Sequence, residues 1–308
     1  MISTIIVSYD TFALTRDAVH AVLGSAGELA HEVIVVDNAS PDQSGTRLAE
    51  AFEADERVQI VQNDENLGFA AANNAGAALA QGRVLYFLNS DTLAAAGSTE
   101  RLVAFLDAHP EAGAVGPRVF NGDGTDQVST GRFRTPASVL RHYLPLTDAL
   151  QGRSQRTDQV PSTTRPVDIV KGCALMMTRE AFDHVGGWDA SYFMYSEETE
   201  LCYALQQAGY TNYFVREAEI VHFGGGSTPP ERYAEQQVIQ AQSAAEFLRR
   251  HYPSWLGLLD RTAGTLGFAA RAGLFPLLAR LRPARADEYQ LRGQAASRLW
   301  RWFLTSYQ

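Results

Sequence analysis

At 308 residues and 45% hydrophobic, the chain can bury a substantial core, as one large domain or as a domain with an appendage. A formal net charge of −9 argues against a nucleic-acid binder that relies on overall basicity. Two cysteines, Cys173 and Cys202, make no disulfide framework and suit a reducing cytosol. Ile5 to Ser8 reads as a first strand. The segment that opens it lacks the basic stretch and longer apolar run of a signal peptide, so a cytoplasmic location is expected. A helix follows from about Thr11 to Leu23. Val33 to Val36 is a second, wholly apolar strand that ends on Asp37 and Asn38. Ser40-Pro41-Asp42-Gln43 then reads as a helix start, with Ser40 as N-cap, Pro41 at the first helical position and Gln43 closing a capping box. Val58 to Val61 is a third strand. Asn66-Leu67-Gly68-Phe69 leads into an alanine-rich helix to about Leu79, closed by Gly82.

Val84 to Leu88 is apolar without alternation, as expected of a strand buried on both faces of a parallel sheet, and it stops on Asn89, Ser90 and Asp91. Repeated βα units predict a parallel sheet with right-handed crossovers. Ligands of such sheets sit outside the carboxyl ends of the strands, where these three polar groups would point. A carboxylate there suits Mg²⁺ or Mn²⁺ that also grips a diphosphate; alone, the same three residues read as a turn. A dinucleotide fold would need Gly-x-Gly-x-x-Gly after the first strand, and Ser8-Tyr9-Asp10-Thr11-Phe12 contains no glycine. A Walker A loop is also absent, and Lys171 is the only lysine in the chain.

In the second half, Ser98 to Ala108 reads as a helix and Ala114 to Pro117 as a short strand. From Asn121 to Pro166 the pattern is irregular and basic, with Arg132, Arg134, Arg141, Arg153, Arg156 and Arg165, either a functional lid or a solvated loop. Strands return between Val167 and Thr178, around Gly172, where a glycine lets a backbone approach a ligand closely. Trp188 reads equally as core or as a platform for a ligand. Glu197, Glu198 and Glu200 open a helix behind the aromatics Tyr192, Phe193 and Tyr195. They either complement the helix dipole or include a general base with a pKa raised by desolvation. His222 ends another strand before a glycine loop, as a structural residue or as a ligand for Mn²⁺ or a diphosphate. Helix is expected from about Glu231 to Tyr252. Trp255 to Leu281 is apolar but interrupted by Asp260, Arg261, Arg271, Arg280 and glycines. From Glu246 onward ten arginines face four acids, a balance of +6, which suits either an anionic membrane surface or a dimer interface. No apolar run of about 18 uncharged residues is present to span a membrane.

Together, Ile5-Ile6-Val7-Ser8-Tyr9, Val35-Val36-Asp37-Asn38-Ala39-Ser40, Asn66-Leu67-Gly68-Phe69 with Asn73-Asn74 and Gly76, and Asn89-Ser90-Asp91 resemble the ordered motifs of inverting family-2 glycosyltransferases. The resemblance is greatest to the rhamnosyltransferase-like branch that builds bacterial cell-surface polysaccharides, and it covers roughly residues 2 to 228. It implies a GT-A nucleotide-diphospho-sugar transferase fold, with a Rossmann-like, mostly parallel sheet in residues 1–228 and an α-helical C-terminal extension in residues 229–308. It implies a dTDP- or UDP-sugar as donor, a divalent cation (Mg²⁺ or Mn²⁺), and a glycan or lipid-linked acceptor. Such an enzyme would be cytoplasmic or peripheral at the inner face of the cytoplasmic membrane.

Carried over residue by residue, the resemblance places Asp37 on the nucleoside, Ser8 and Tyr9 in the base pocket, and Asn66, Gly68 and Asn73 beside the nucleotide. The loop at Gly172 would meet the sugar. Asn89, Ser90 and Asp91 occupy the family's metal motif, with Asn89 where an aspartate is common, so that Asp91 is the formal carboxylate. His222 matches a late element assigned to metal or diphosphate. Glu198 matches the acid that deprotonates the acceptor hydroxyl, with Glu197 before it as the alternative base. Ala71 and Ala72 stand where the family commonly has glycine. Two other readings are open to the residues: a sugar-phosphate nucleotidyltransferase, which would want a glycine-rich basic loop after the first strand, and a catalytically silent sugar-nucleotide-binding module.

Overall fold

Apolar runs without alternation need cover on both faces, and the strands of this protein receive it. The structure, a computed structural model, describes residues 1–143, 160–224 and 232–306. Along β1 (Ile2–Ser8), β2 (His31–Asp37) and β4 (Val84–Asn89) successive residues alternate between two buried cores. Ile6, Val33, Val35 and Tyr86 lie in one; Ile5, Ile34, Leu85 and Phe87 lie in the other. The first core is covered by α1 (Phe12–Gly24), α2 (Ser44–Ala51) and α4 (Ser98–Ala108), through Val19, Leu48 and Leu102. The second is covered by α3 (Phe69–Leu79), α6 (Arg179–His184) and α7 (Glu197–Gln207), through Ala72, Phe182 and Leu201.

The remaining strands of the main sheet are β3 (Val58–Gln62), β5 (Thr92–Ala94), β6 (Ala112–Phe120), β7 (Asp126–Gln127), β9 (Arg165–Pro166), β11 (Ala174–Thr178) and β12 (Thr211–His222). A separate small ladder pairs β8 (Thr130–Gly131) with β10 (Ile169–Val170). The main order is β3-β2-β1-β4-β11-β6-β12-β5, with β7 beside β6 and β9 beside β12. Strands β1 to β4 run parallel, β11 is antiparallel to its neighbours β4 and β6, and β12 runs parallel to β6 and antiparallel to β5. This is the mostly parallel α/β sheet expected, with one reversed strand inside it.

Two local expectations are corrected. The helix after β2 begins at Ser44, because Gln43 is left-handed at φ 63°. Ser40 does not cap it: its hydroxyl donates to Asp37 Oδ1 at 2.5 Å and accepts from the Asp10 amide at 2.9 Å. Asp42 takes over the end of the helix, accepting the Ser44 amide at 2.9 Å. Gly82 likewise does not close α3, whose cap is Ala80. Its amide donates to Ser3 Oγ at 2.7 Å, and a Cβ there would come within 2.7 Å of the Ser3 nitrogen. Gly82 is thus required by a close approach to β1.

Contacts divide the chain into two compact units. One comprises Met1–Phe133, Gln155–Phe193 and Glu197–Gly226; the other comprises Arg134–Ser154, Met194–Ser196 and Ser227–Gln308. The second unit therefore takes in part of the irregular basic segment, where α5 (Pro136–Tyr143) forms. Arg153 and Arg156 lie outside the described residues.

The helical unit adds α8 (Tyr233–His251), α9 (Ser254–Leu281) and α10 (Ala286–Thr305). Its core joins Val139, Tyr143, Leu248, Leu256, Leu299 and Phe303. The sequence reads 255–281 as interrupted, yet α9 is continuous: Asp260, Gly264, Gly267 and Arg271 face inward, while Arg261 and Arg280 stay exposed on its surface. Asp260 is buried and accepts the Tyr143 hydroxyl at 2.9 Å, and buried Arg271 donates to the His142 carbonyl at 2.9 Å. Gly264 leaves room for the Phe303 ring, which a Cβ would meet at 2.6 Å. Among the described residues, no helix is long and apolar enough to cross a membrane.

Candidate active site

Parallel register brings the predicted polar residues to one edge. Ser8 stands opposite Asp37, and Val7 opposite Asn89, so the carboxyl ends of β1, β2 and β4 are level. Ser8 itself is fully buried, and its hydroxyl lies 2.9 Å from that of Thr15 on α1. Tyr9, one residue on, is 45% exposed and presents a ring to solvent.

Asp37 is 3% exposed and fixed by Ser40, whose amide reaches Oδ2 at 3.0 Å and whose hydroxyl holds Oδ1. A Cβ at Gly45 would lie 2.8 Å from the Asp37 carboxyl carbon, so α2 approaches this carboxylate as closely as only glycine allows. Next to it, Asn38 ties the loop 63–68 together. Its amide donates to Asn66 Oδ1 at 2.9 Å and to the Gly68 carbonyl at 3.2 Å, while its Oδ1 accepts from Asn63 at 3.0 Å and the Leu67 amide at 3.1 Å. Sequence reasoning quoted Asn38 within a motif and gave it no role. Its position beside a strand-end aspartate was the available signal. Asn73 is buried on α3 and donates to the Phe69 carbonyl at 2.9 Å.

Gly68 has φ +81° and ψ 178°, a region other residues essentially avoid, and a Cβ would sit 2.5 Å from the Phe193 carbonyl oxygen. Gly68→Ala is therefore expected to lose about 2–5 kcal/mol of stability, combining backbone strain and overpacking. Thermal unfolding measures it; a variant as stable as wild type would contradict this geometry.

At the end of β4, Asn89 receives the chain's crossing loop, its amide donating to the Cys173 carbonyl at 3.0 Å. Ser90 accepts from Thr11 Oγ1 at 3.2 Å. Asp91 Oδ1 lies 3.1 Å from His222 Nε2, because β5 and β12 pair with Thr92 opposite His222. The other ring nitrogen, Nδ1, lies 2.6 Å from Gln127 Oε1, and Asn89 Nδ2 approaches Nε2 at 3.4 Å. Assigned from this network, Nδ1 donates to Gln127, and Nε2 faces the carboxylate oxygen of Asp91. A cation held between the two would be favoured by both. The pair therefore fits a hard divalent cation that takes its other ligands from water and a diphosphate. Among the described residues no cluster of three or more acidic, histidine or cysteine ligands exists. Gly225 and Ser227, which complete the expected late motif after His222, lie outside the described residues.

Three acids open α7, and each has a different environment. Glu200 accepts the Tyr192 hydroxyl at 3.0 Å. Glu198 Oε1 pairs with Lys171 Nζ at 3.0 Å, and its side chain is 12% exposed. Glu198 in turn holds the Lys171 ammonium above its usual pKa. Gly172 lines the same wall, where a Cβ would lie 3.6 Å from Glu198 Cβ. The role of Lys171 was missed by sequence reasoning, although its being the only lysine in the chain was the available signal. Glu197 is buried, and its Oε2 makes no hydrogen bond among the described residues. Burial, reinforced by the Glu198 charge, raises its pKa to about 8.

Because the folded pKa of Glu197 exceeds the unfolded one, the native state binds its proton more tightly. Stability from this group is full below about pH 4.5 and is lost as pH rises through about 8. Glu197→Gln should thus gain on the order of 2–4 kcal/mol over wild type above pH 8, with the difference vanishing near pH 4.5. Denaturant unfolding across that range reads it. A pH-independent difference would contradict a neutral buried Glu197.

Trp188 is core: it is buried, with its ring edge-on to Phe69 and Phe87 at 5.6 and 5.1 Å. Asn74 holds its backbone from both sides, at 2.7 Å to the carbonyl and 3.0 Å to the amide.

A level edge of strand ends, a carboxylate–imidazole pair and a lysine-paired glutamate are set on a fold of the GT-A class. The sequence model described as Glycosyl transferase family 2 matches residues 3–186, and the chain belongs to that family. It is 28% identical over 261 residues to an N-acetylglucosaminyl-diphospho-decaprenol L-rhamnosyltransferase of Mycobacterium tuberculosis, covering 79% of this chain and 80% of the relative. The fold is shared with the mannosyltransferase PcManGT from Pyrobaculum calidifontis, solved with GDP-Man and Mn²⁺ (TM-score 0.59, 18% identity, 100% of this chain and 88% of that one). It is also shared with GalNAc-T7, solved with UDP, GalNAc and Mn²⁺ (TM-score 0.61, 17% identity). This chain is fully covered in that match, at 99%, but spans only 56% of GalNAc-T7.

Proposed function

We propose that this glycosyltransferase moves a deoxyhexose, rhamnose, from a dTDP- or UDP-linked donor to a hydroxyl of a lipid-linked or glycan acceptor in cell-surface polysaccharide synthesis. The observation that carries the reading is the grouping of Asp91–His222 and Lys171–Glu198 around the loop 171–173, whose Cys173 carbonyl binds Asn89. The similarity to a rhamnosyltransferase whose name specifies a diphospho-decaprenol acceptor supports both the sugar and the lipid-linked partner.

In this reading Tyr9 and Asp37 receive the nucleoside, the ring by stacking and the carboxylate by accepting hydrogen bonds. Asn38 fixes the loop 66–68 that closes over it. Asp91 and His222 would hold the divalent cation, which when bound would offset the charge of the leaving diphosphate. Glu198, paired with Lys171, takes the proton of the acceptor hydroxyl as that oxygen attacks the anomeric carbon and the nucleoside diphosphate leaves, so displacement proceeds with inversion. Glu197, neutral beside it, adds no second negative charge to the acceptor side. An acceptor anchored in lipid would have the enzyme work at the inner face of the cytoplasmic membrane.

The test is a panel of nucleotide sugars with Mn²⁺, read by thermal shift and by release of nucleoside diphosphate. dTDP-rhamnose is expected to give the largest shift. A panel in which UDP-GlcNAc or GDP-mannose stabilises more would overturn the sugar while leaving the transferase reading in place.

A further inference from the structure

Helix α9 buries Asp260 and Arg271 and turns four leucines and a tryptophan outward. The residues it buries include Asp260, Gly264, Gly267 and Arg271. Trp255, Leu258, Leu266, Leu277 and Leu281 are instead 55, 65, 67, 50 and 68% exposed. At 3.6 residues per turn these five fall within an arc of roughly 140° along a helix about 40 Å long. An exposed apolar strip of that length is rare on a free surface and marks a contact.

The strip is bordered by cations. Arg261, Arg280 and Arg282 are exposed on or beside it. Arg261 donates to the Leu304 carbonyl at 3.3 Å, which brings exposed Leu304, with exposed Trp300 one turn before it on α10, to the same end. Acids are few here: Asp260 is buried, Glu288 is bridged to Arg285 and Arg292 at 2.7 and 2.8 Å, and Asp287 at the start of α10 is the exposed one.

We propose that this face of the helical unit docks on an anionic lipid surface, lying in the interface plane without crossing it. Leucines enter the acyl boundary, tryptophans sit at headgroup depth, and arginines reach lipid phosphates over their buried stems. Charge decides between lipid and a second copy of the chain. A two-fold contact through the strip would set its arginines against a second set of the same sign, whereas anionic headgroups neutralise them. The inference stands independently of the donor and acceptor reading above.

The experiment is vesicle co-sedimentation of the full chain, with phosphatidylcholine alone or mixed with phosphatidylglycerol, at low and high salt. Wild type should bind the mixed vesicles and lose affinity with salt. Combining Leu258→Glu, Leu266→Glu and Leu277→Glu should reduce binding at least tenfold with an unchanged melting temperature, since all three sites are exposed. Combining Arg261→Gln, Arg280→Gln and Arg282→Gln should weaken binding to anionic vesicles by about fivefold per arginine. Equal binding by wild type and both variants, or no wild-type binding to anionic vesicles, would overturn the proposal. So would a wild-type dimer in sedimentation velocity that the leucine variant converts to monomer, which would assign the strip to a second copy.

Discussion

Glu198→Gln is expected to lower kcat by about 10²–10⁴-fold while leaving nucleotide-sugar affinity near wild type. The amide keeps the size and place of the carboxylate but cannot take a proton. Donor binding should survive because the strand ends proposed to receive the nucleotide belong to β1, β2 and β4, whereas Glu198 stands on α7 against Lys171. Glu197 provides the control. Buried, and with Oε2 unbonded among the described residues, it is neutral at physiological pH and poorly placed to accept a proton there. Steady-state kinetics on both variants decide the assignment: if Glu197→Gln shows the kcat loss and Glu198→Gln does not, the base is Glu197.

Asp91→Ala is expected to reduce transfer by about 10²–10³-fold, the several kcal/mol that a divalent cation contributes to stabilising transition-state charge. It should also weaken Mn²⁺-dependent binding of nucleoside diphosphate. With one carboxylate in the pair, no second acid takes over; His222 and Asn89 remain, and neither carries a negative charge. Calorimetric titration of nucleoside diphosphate with and without Mn²⁺ measures the second effect. Unchanged activity in the variant, or full wild-type activity in excess EDTA, would contradict a metal role for Asp91.

The central strands were legible because their residues carry the signal themselves: an apolar run buried on both faces looks the same from the sequence and in the fold. The strand-end residues Asp37, Asn89 and Asp91 were legible for the same reason, since polarity begins where the strand ends. What the sequence misreported depended on contacts made elsewhere. Ser40 carries every mark of an N-cap, but its hydroxyl is drawn to Asp37 and to the Asp10 amide. Gly82 looks like a helix stop and is instead small because Ser3 passes beside it. The charges and glycines of α9 read as interruptions because their partners, Tyr143, His142 and Phe303, are far away in sequence. Lys171 and Glu198, 27 residues apart, show no helical or strand spacing that would announce an ion pair.

The measurement that bears most directly on the central claim is phosphorus NMR of the purified enzyme with Mg²⁺, dTDP-rhamnose and a polyprenyl-diphospho-N-acetylglucosamine acceptor. A transferase of this design releases nucleoside diphosphate in step with a new glycoside, and the release stops in Glu198→Gln. Formation of nucleoside triphosphate and sugar 1-phosphate on adding pyrophosphate, with no glycoside in any donor–acceptor pair, would instead make the protein a nucleotidyltransferase.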